Sequence, residues 1–383
     1  MGDLQAMALA AGRMRPVSVR DFPVIDAARR RSMLAPPSTE GRVRIVIDTD
    51  AANEIDDQFA LAWAFLSQDR FDIEGVYAVP YSFGIYRDDL IETRRRLDAN
   101  ESIPDELRPL VGWVEGLRRD GVHPSDVPFV SAPDGMEESY QEILKVDAFM
   151  GTGLRDRTFR GSPGYLTAPD VPIESDAAHH LIERAMAHGD APLYVVAIGA
   201  TTNLASALLL EPRIAERIVI VWTSAYPTWS GMYNYSFNLE QDLPASQLLF
   251  TSGVPMVYLP GYYLGAQLRL SKPEIETWIQ GRGKIGDYLH HLYMNNPLYP
   301  QRGLHEVPGR SWVIWDLINF AWLLNPAWVP TRFVSTPRLG DDQRWYPAEG
   351  PGTEMLEAFE VARDPIFIDF LAKLDAAYGE ESA

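Results

Sequence analysis

Five short β-branched runs punctuate the chain: Val43 to Ile47, Ile73 to Val79, Leu193 to Ile198, Ile218 to Trp222 and Val254 to Leu259. None shows the polar alternation of a strand with one wet face. Between them lie segments whose apolar residues recur at helical spacing, namely Asp57 to Leu66, Glu137 to Met150, Ala177 to Ala187, Thr202 to Leu210 and Pro244 to Phe250. Strands apolar on both faces and separated by helices predict an α/β fold: an open, mostly parallel sheet with helices on both faces. Such sheets take ligands beyond the carboxyl ends of their strands.

The rhythm breaks between about 81 and 134. That interval carries a charged helical stretch, Asp88 to Asn100, and then Pro104, Pro109, Pro124, Pro128 and Pro133. An excursion of this length is either a cover or oligomer contact at the site, or a surface insertion without a part in the chemistry. Residues 1–40, with scattered Arg and Pro, read as an N-terminal arm, and 41–383 as a single domain that carries the insertion.

Charge concentrates where the first strand ends. Arg44-Ile45-Val46-Ile47 runs into Asp48-Thr49-Asp50, then Asp56-Asp57 at the start of a helix. Four aspartates this close at the mouth of a buried strand repel one another unless a cation lies between them, and a hard divalent metal is the simplest such cation. An EF-hand beginning at Asp48 fails on spacing, because Ala52, Asn53 and Phe59 stand where an oxygen ligand, Gly and Glu are needed. An aspartyl phosphatase also places Asp-x-Asp after an apolar strand, but Ala52 stands where a Thr or Val is usual. An acidic first turn that complements the helix dipole explains Asp56 and Asp57, but not Asp48 and Asp50.

Composition narrows the partners. A net charge of -19 over 383 residues repels polynucleotides and anionic membranes alike. The absence of cysteine excludes disulfides, thiolate nucleophiles and Cys-bound zinc. No apolar stretch approaches the roughly 20 residues of a membrane span, and the first forty residues lack the basic cap and apolar block of a secretory signal. The expectation is a cytoplasmic protein acting on a small molecule.

Four motifs in order resemble the inosine-uridine type nucleoside hydrolases. Asp48-Thr49-Asp50-Ala51-Ala52-Asn53-Glu54-Ile55-Asp56-Asp57 is similar to that family's Asp-Thr-Asp-Pro-Gly-Ile-Asp-Asp with two residues added. Val196 to Ala205 resembles its strand-to-helix turn of the Gly-Pro-Leu-Thr-Asn type. Phe237-Asn238 with Asp242, and Trp315-Asp316 before an apolar helix, complete the set. The resemblance implies Ca2+ at the strand ends, held by Asp50, Asp57, Asp316 and the backbone carbonyl of Ile198, and hydrolysis of an N-ribosidic bond. By the same resemblance Asp50 is the base for a metal-bound water, Asp48 braces the acids beside the substrate, Asp56 accepts from the ribose 2′-hydroxyl, and Asn238 holds the sugar. It also implies a homodimer or homotetramer. Calcium's six to eight oxygen ligands leave room for a water and two vicinal hydroxyls.

Three departures affect the substrate. Trp315 replaces a His that assists the leaving base in many relatives, and an indole can stack or donate a hydrogen bond but transfers no proton. Ser236 replaces a Glu, and Ser82 falls where an Asn would follow the second strand. The added Asn53-Glu54 could bring Asn53 onto the sugar and Glu54 toward the leaving group. His305 is a stand-in acid by position, whereas His179-His180 and His290-His291 read as helix or surface residues. Tyr226, Trp229, Tyr233, Tyr235, Tyr262 and Tyr263 fall on the same sheet edge as the acids, where they either stack on a base or pack among themselves. A catalytically silent sugar- or nucleoside-binding relative is the rival reading.

Overall fold

The computed structural model describes residues 22–187, 189, 191–301, 309–348 and 353–379. Eight strands form its main sheet: β1 (Val43–Thr49), β2 (Phe71–Ala78), β3 (Thr158–Arg160), β4 (Leu193–Ala197), β5 (Ile218–Ser224), β6 (Met256–Pro260), β7 (Thr331–Ser335) and β8 (Glu354–Ala358). Their spatial order is β3-β2-β1-β4-β5-β6-β8-β7. Every neighbouring pair is parallel except β8 with β7. The five apolar runs all lie in the parallel part. Asp48 of β1 sits opposite Tyr77 of β2 on one side and Ala197 of β4 on the other. The chain winds outward from β1 to β3, then returns to β4 and winds the other way. The crevice at the carboxyl ends of β1 and β4 is therefore the switch point at which such sheets take ligands.

Both faces of the sheet are covered. Ile45 and Ile47 enter one core with Phe59, Trp63, Phe320 and Phe370, while Val46 enters the other with Val195, Leu204, Leu208 and Leu248. This is the two-residue period of a strand buried on both sides. The helix that follows β1, α1 (Asp56–Leu66), is buried from Asp56 through Phe65, so its polar residues lie only where it begins. Its first turn presents Asp56 and Asp57 at the crevice, where the dipole favours negative charge.

Residues 81–134 build a small core of their own. Tyr86, Leu90, Leu107, Leu110 and Val114 pack together, with Phe83, Trp113 and Phe129 against them and Tyr235 and Phe237 from the far side of the crevice. Within the first forty residues, Ala27–Met33 form a helix capped by Asp26, and Met33 and Leu34 enter the main core. Arg30 of that helix donates to the Gly253 carbonyl at 2.5 Å. His305 lies outside the described residues. No described helix is long and apolar enough to cross a membrane.

Candidate functional site

The carboxyl ends of the central strands open onto a cavity of about 670 Å³. Asp50, Asn53, Glu54, Asp56 and Asp57 line it from the loop after β1, Ile198 from the end of β4, and Asp316 with Trp315 from the start of the helix Leu317–Leu324. Ser236, Phe237 and Asn238 line it from the segment after β5. Residues 259 apart in sequence, Asp57 and Asp316, thus share one floor. The carboxylate oxygens of Asp56, Asp57 and Asp316 lie within 4.8 Å of one another. Asp50 borders this trio and interacts electrostatically with Asp56, Asp57 and Asp316.

Each acid has its own support. Thr49 Oγ1 donates to Asp57 Oδ1 at 2.5 Å, and Gln241 Nε2 donates to Asp50 Oδ2 at 3.3 Å. Asp50 Oδ1 is buried without a partner. Gly199, just after Ile198, admits this carboxylate: a Cβ there would stand 3.0 Å from Asp50 Cγ. Asp48 is placed differently from the others. It shares the face of Val46, lies behind the cavity wall, and accepts from Asn203 Nδ2 at 2.8 Å. It supports the wall from behind rather than lining it.

Burial raises the proton affinity of the whole group. Desolvation pushes the carboxyl of Asp48 up to about 8, with Asp50 as a further repulsive charge. Asp50, Asp56, Asp57 and Asp316 are all raised, first by burial and then by their acidic neighbours, Glu54 among them. Buried carboxylates so close together are stable only when protonated or when they share a cation. The donor set is entirely oxygen and includes the orphaned Asp50 Oδ1, which suits a hard divalent ion such as Ca2+ or Mg2+.

Several polar contacts escaped the sequence reading. Gln241, lying between Asn238 and Asp242, accepts from Tyr165 at 2.7 Å and from the Ser82 N–H at 3.1 Å while it holds Asp50. Ser82, in turn, points away from the cavity and donates to the Val130 carbonyl. Glu54 is fixed by the Trp312 indole N–H at 2.9 Å. Asn238 donates to the carbonyls of Ile198 and Thr223, at 3.2 and 3.4 Å. Ser236 Oγ is 2.8 Å from Ser224 Oγ. Glu240 accepts from Tyr86 and Tyr233, tying the 81–134 segment to the segment after β5. His180 stacks on Phe159, away from the site.

The cavity roof comes from the 81–134 segment, through Phe83, Tyr86, Asp105, Arg108, Pro109 and Trp113. Phe83 stacks on Phe237 at 4.4 Å between ring centres. The roof and the Phe237-Asn238 motif are therefore packed as one body.

The sequence profile of the inosine-uridine preferring nucleoside hydrolases matches residues 45–357, from β1 into β8. The chain belongs to that family. Among curated members of this nucleoside hydrolase family, the pyrimidine-specific ribonucleoside hydrolase RihB of Escherichia coli K12 is 27% identical over 158 residues. That match covers 41% of this chain and 49% of RihB. A putative pyrimidine-specific RihB of Shigella boydii is also 27% identical over 158 residues, with 63% of its length covered. The chain thus spans between 49% and 63% of the length of these two curated relatives. Among solved structures, a purine-preferring ribonucleoside hydrolase from Gardnerella vaginalis superposes with a TM-score of 0.59 at 17% identity, over 88% of this chain and all of that one. The inosine-uridine preferring nucleoside hydrolase of Bacillus anthracis gives 0.51 at 16% identity, also over 88% and 100%. These likenesses show that the nucleoside hydrolase fold is shared.

Proposed function

We propose that this family member hydrolyses the N-glycosidic bond of a ribonucleoside or nucleoside-like small molecule, with Ca2+ as cofactor and Asp50 as base. The convergence of Asp50, Asp56, Asp57 and Asp316 on one cavity floor, from both ends of the domain, carries this reading. Asp50, Asp57, Asp316 and the Ile198 carbonyl would hold the ion. Ca2+, when bound, supplies the charge that gathers a sugar diol and acidifies a water.

Each side chain then has a separate task. Gln241 holds Asp50 through Oδ2, which orients its carboxylate to receive the proton. Asp56 accepts from the ribose 2′-hydroxyl. Asn238, which now spans the Ile198 and Thr223 carbonyls, turns its amide to the 3′ or 5′ side of the sugar, and Asn53 closes the ring edge. The Ile198 oxygen has a second lone pair, so its contact with Asn238 leaves it a donor for a cation. The anionic floor favours the positive charge that grows on the sugar ring as the bond breaks. Asp48 and Asn203 hold the wall from behind. Trp315 faces the leaving group without a proton to give, and Glu54 is the acid on the adjacent wall. The assembly is read as a homodimer or homotetramer, which light scattering measures.

The loss of the family His at Trp315 favours one competing reading, a silent relative that binds nucleosides. Release of reducing sugar from uridine, cytidine, inosine and adenosine separates the two, with Ca2+ or with chelator. The expected result is Ca2+-dependent turnover of at least one nucleoside, reduced about 10²- to 10⁴-fold in Asp50→Ala. No turnover, together with protection against melting by ribose in Ca2+, would establish the silent relative instead.

A further inference from the structure

We propose that Glu240 is a positioning residue for substrate binding: its carboxylate ties Tyr86 of the roof to Tyr233 of the segment after β5, and so fixes how the roof sits over the acid floor. Tyr86 donates to Glu240 Oε2 at 2.7 Å, and Tyr233 donates to Oε1 at 3.0 Å. Both tyrosines line the cavity, whereas Glu240 does not. Tyr86 closes the turn Phe83–Tyr86, from which the roof helix Arg87–Asp98 starts. Around this polar tie, the Tyr86 ring meets Tyr235 at 5.7 Å and Phe237 at 6.1 Å.

Two observations separate this tie from ordinary packing. The first is that a carboxyl is costly where it stands. Burial pushes it up to about 7, the two phenols act in the opposite direction, and Asp89 of the roof adds a repulsive charge. Asp89 and Glu106, both from the roof, also act on the Tyr233 phenol. A neutral side chain would fill the same space at less cost, so what the carboxylate adds is its hold on two hydroxyls. The second observation is the company that Glu240 keeps. Within five residues the chain grips the roof through Phe237 and Glu240, and the floor through Asn238, which holds the Ile198 carbonyl, and Gln241, which holds Asp50.

Consecutive residues therefore have separate tasks. Gln241 orients the carboxylate proposed as the base, whereas Glu240 fixes the walls of the space above it. Without Glu240, two cavity-lining tyrosines lose their common acceptor, and the substrate must order roof and wall as it binds. That ordering costs affinity. The effect falls on KM rather than kcat, because no group that touches the reacting atoms has moved.

The kinetic arm of the test rests on the hydrolase reading, and the exchange arm does not. Wild type, Glu240→Ala, Glu240→Gln, Tyr86→Phe and the double variant of Glu240→Ala with Tyr86→Phe are compared as full chains in Ca2+, on the nucleoside turned over fastest. Glu240→Ala should raise KM about tenfold with kcat changed less than about twofold. Glu240→Gln keeps an acceptor and should recover part of the loss. The double variant should lose no more than Glu240→Ala alone, because both changes act through one bond. Tyr86→Phe keeps its ring in the roof core and tests the same bond should Glu240→Ala not fold. An unchanged KM with a lowered melting temperature would overturn the proposal and leave Glu240 a structural residue, and so would a loss confined to kcat. Hydrogen exchange read by mass spectrometry reports on the roof directly: amides of 83–98 should exchange about tenfold faster in Glu240→Ala, while those of β5 stay unchanged. If no nucleoside is turned over, the hydrolase reading fails and exchange decides alone. Faster exchange in 83–98 upholds the hold on the roof, and equal exchange removes it.

Discussion

Gln241 holds Asp50: its side-chain amide donates to Oδ2 at 3.3 Å, while its own oxygen is pinned by Tyr165 and the Ser82 N–H. The contact is fully buried and Gln241 does not line the cavity, so the carboxylate proposed as the base is oriented by a residue set back from it. Replacing Gln241 with Leu removes that hold and leaves two donors unsatisfied. The expected outcome is a fall in kcat of about 10- to 100-fold with KM little changed. Melting should also report about 1–3 kcal/mol of lost stability from the stranded donors. A KM effect alone would place Gln241 in substrate binding.

Removing a buried acid should act in opposite directions with and without metal. In chelator, Asp57→Asn relieves repulsion among Asp50, Asp56 and Asp316 and raises the melting temperature. In Ca2+ the wild type should gain about 2.7 kcal/mol at a hundredfold excess over its dissociation constant, and the variant far less. Scanning calorimetry of both proteins in both buffers reads the crossing. Parallel curves would mean that Asp57 takes no part in holding an ion.

The pH dependence of stability follows from the raised carboxyls. Folding without metal lifts Asp48 to about 8, and Asp50 and its neighbours upward as well, from unfolded values near the ordinary carboxylate range. The folded state therefore binds more protons between those limits, and its stability should fall as pH rises from about 4 to about 8. A bound cation stabilises the ionised acids, so Ca2+ should flatten or invert that slope. Urea melts at a series of pH values, with and without chelator, measure it.

Glu54 is held by the Trp312 indole and lines the same cavity as Trp315. If it delivers the proton to the departing group, Glu54→Gln should lower kcat about 10²- to 10⁴-fold on a nucleoside with a basic leaving group. An aglycone that leaves as a stable anion should be affected much less. Equal losses on both substrates would assign Glu54 to shaping the acid floor instead.

Much of this arrangement could be read from the chain because it depends on local pattern. The runs at Val43 to Ile47 and Ile218 to Trp222 could only be strands buried on both faces, and acids directly after such a strand lie at the switch point. Asp316 was reached through resemblance, because nothing near it in sequence reveals its distant partners. Gln241 was passed over because its position reads as one polar residue in a short helical turn, and its value depends on Tyr165, Ser82 and Asp50 arriving from three other segments. The Glu54 to Trp312 contact spans 258 residues. The edge pair β7 and β8 was also missed: β7 is short and half-exposed, and only its antiparallel register with β8 makes it a strand. Asp48 was grouped with the site acids by its place in the motif, and the strand's two-residue period turned it to the other face.

The most direct test is a crystal structure of the protein grown with Ca2+ and soaked with ribose, with the ion located by anomalous scattering. The expected result is one ion at about 2.3–2.6 Å from oxygens of Asp50, Asp57, Asp316 and the Ile198 carbonyl, with two ribose hydroxyls and a water completing its shell. An ion bound elsewhere, or a ribose seated away from Asp56 and Asn238, would contradict the assignment.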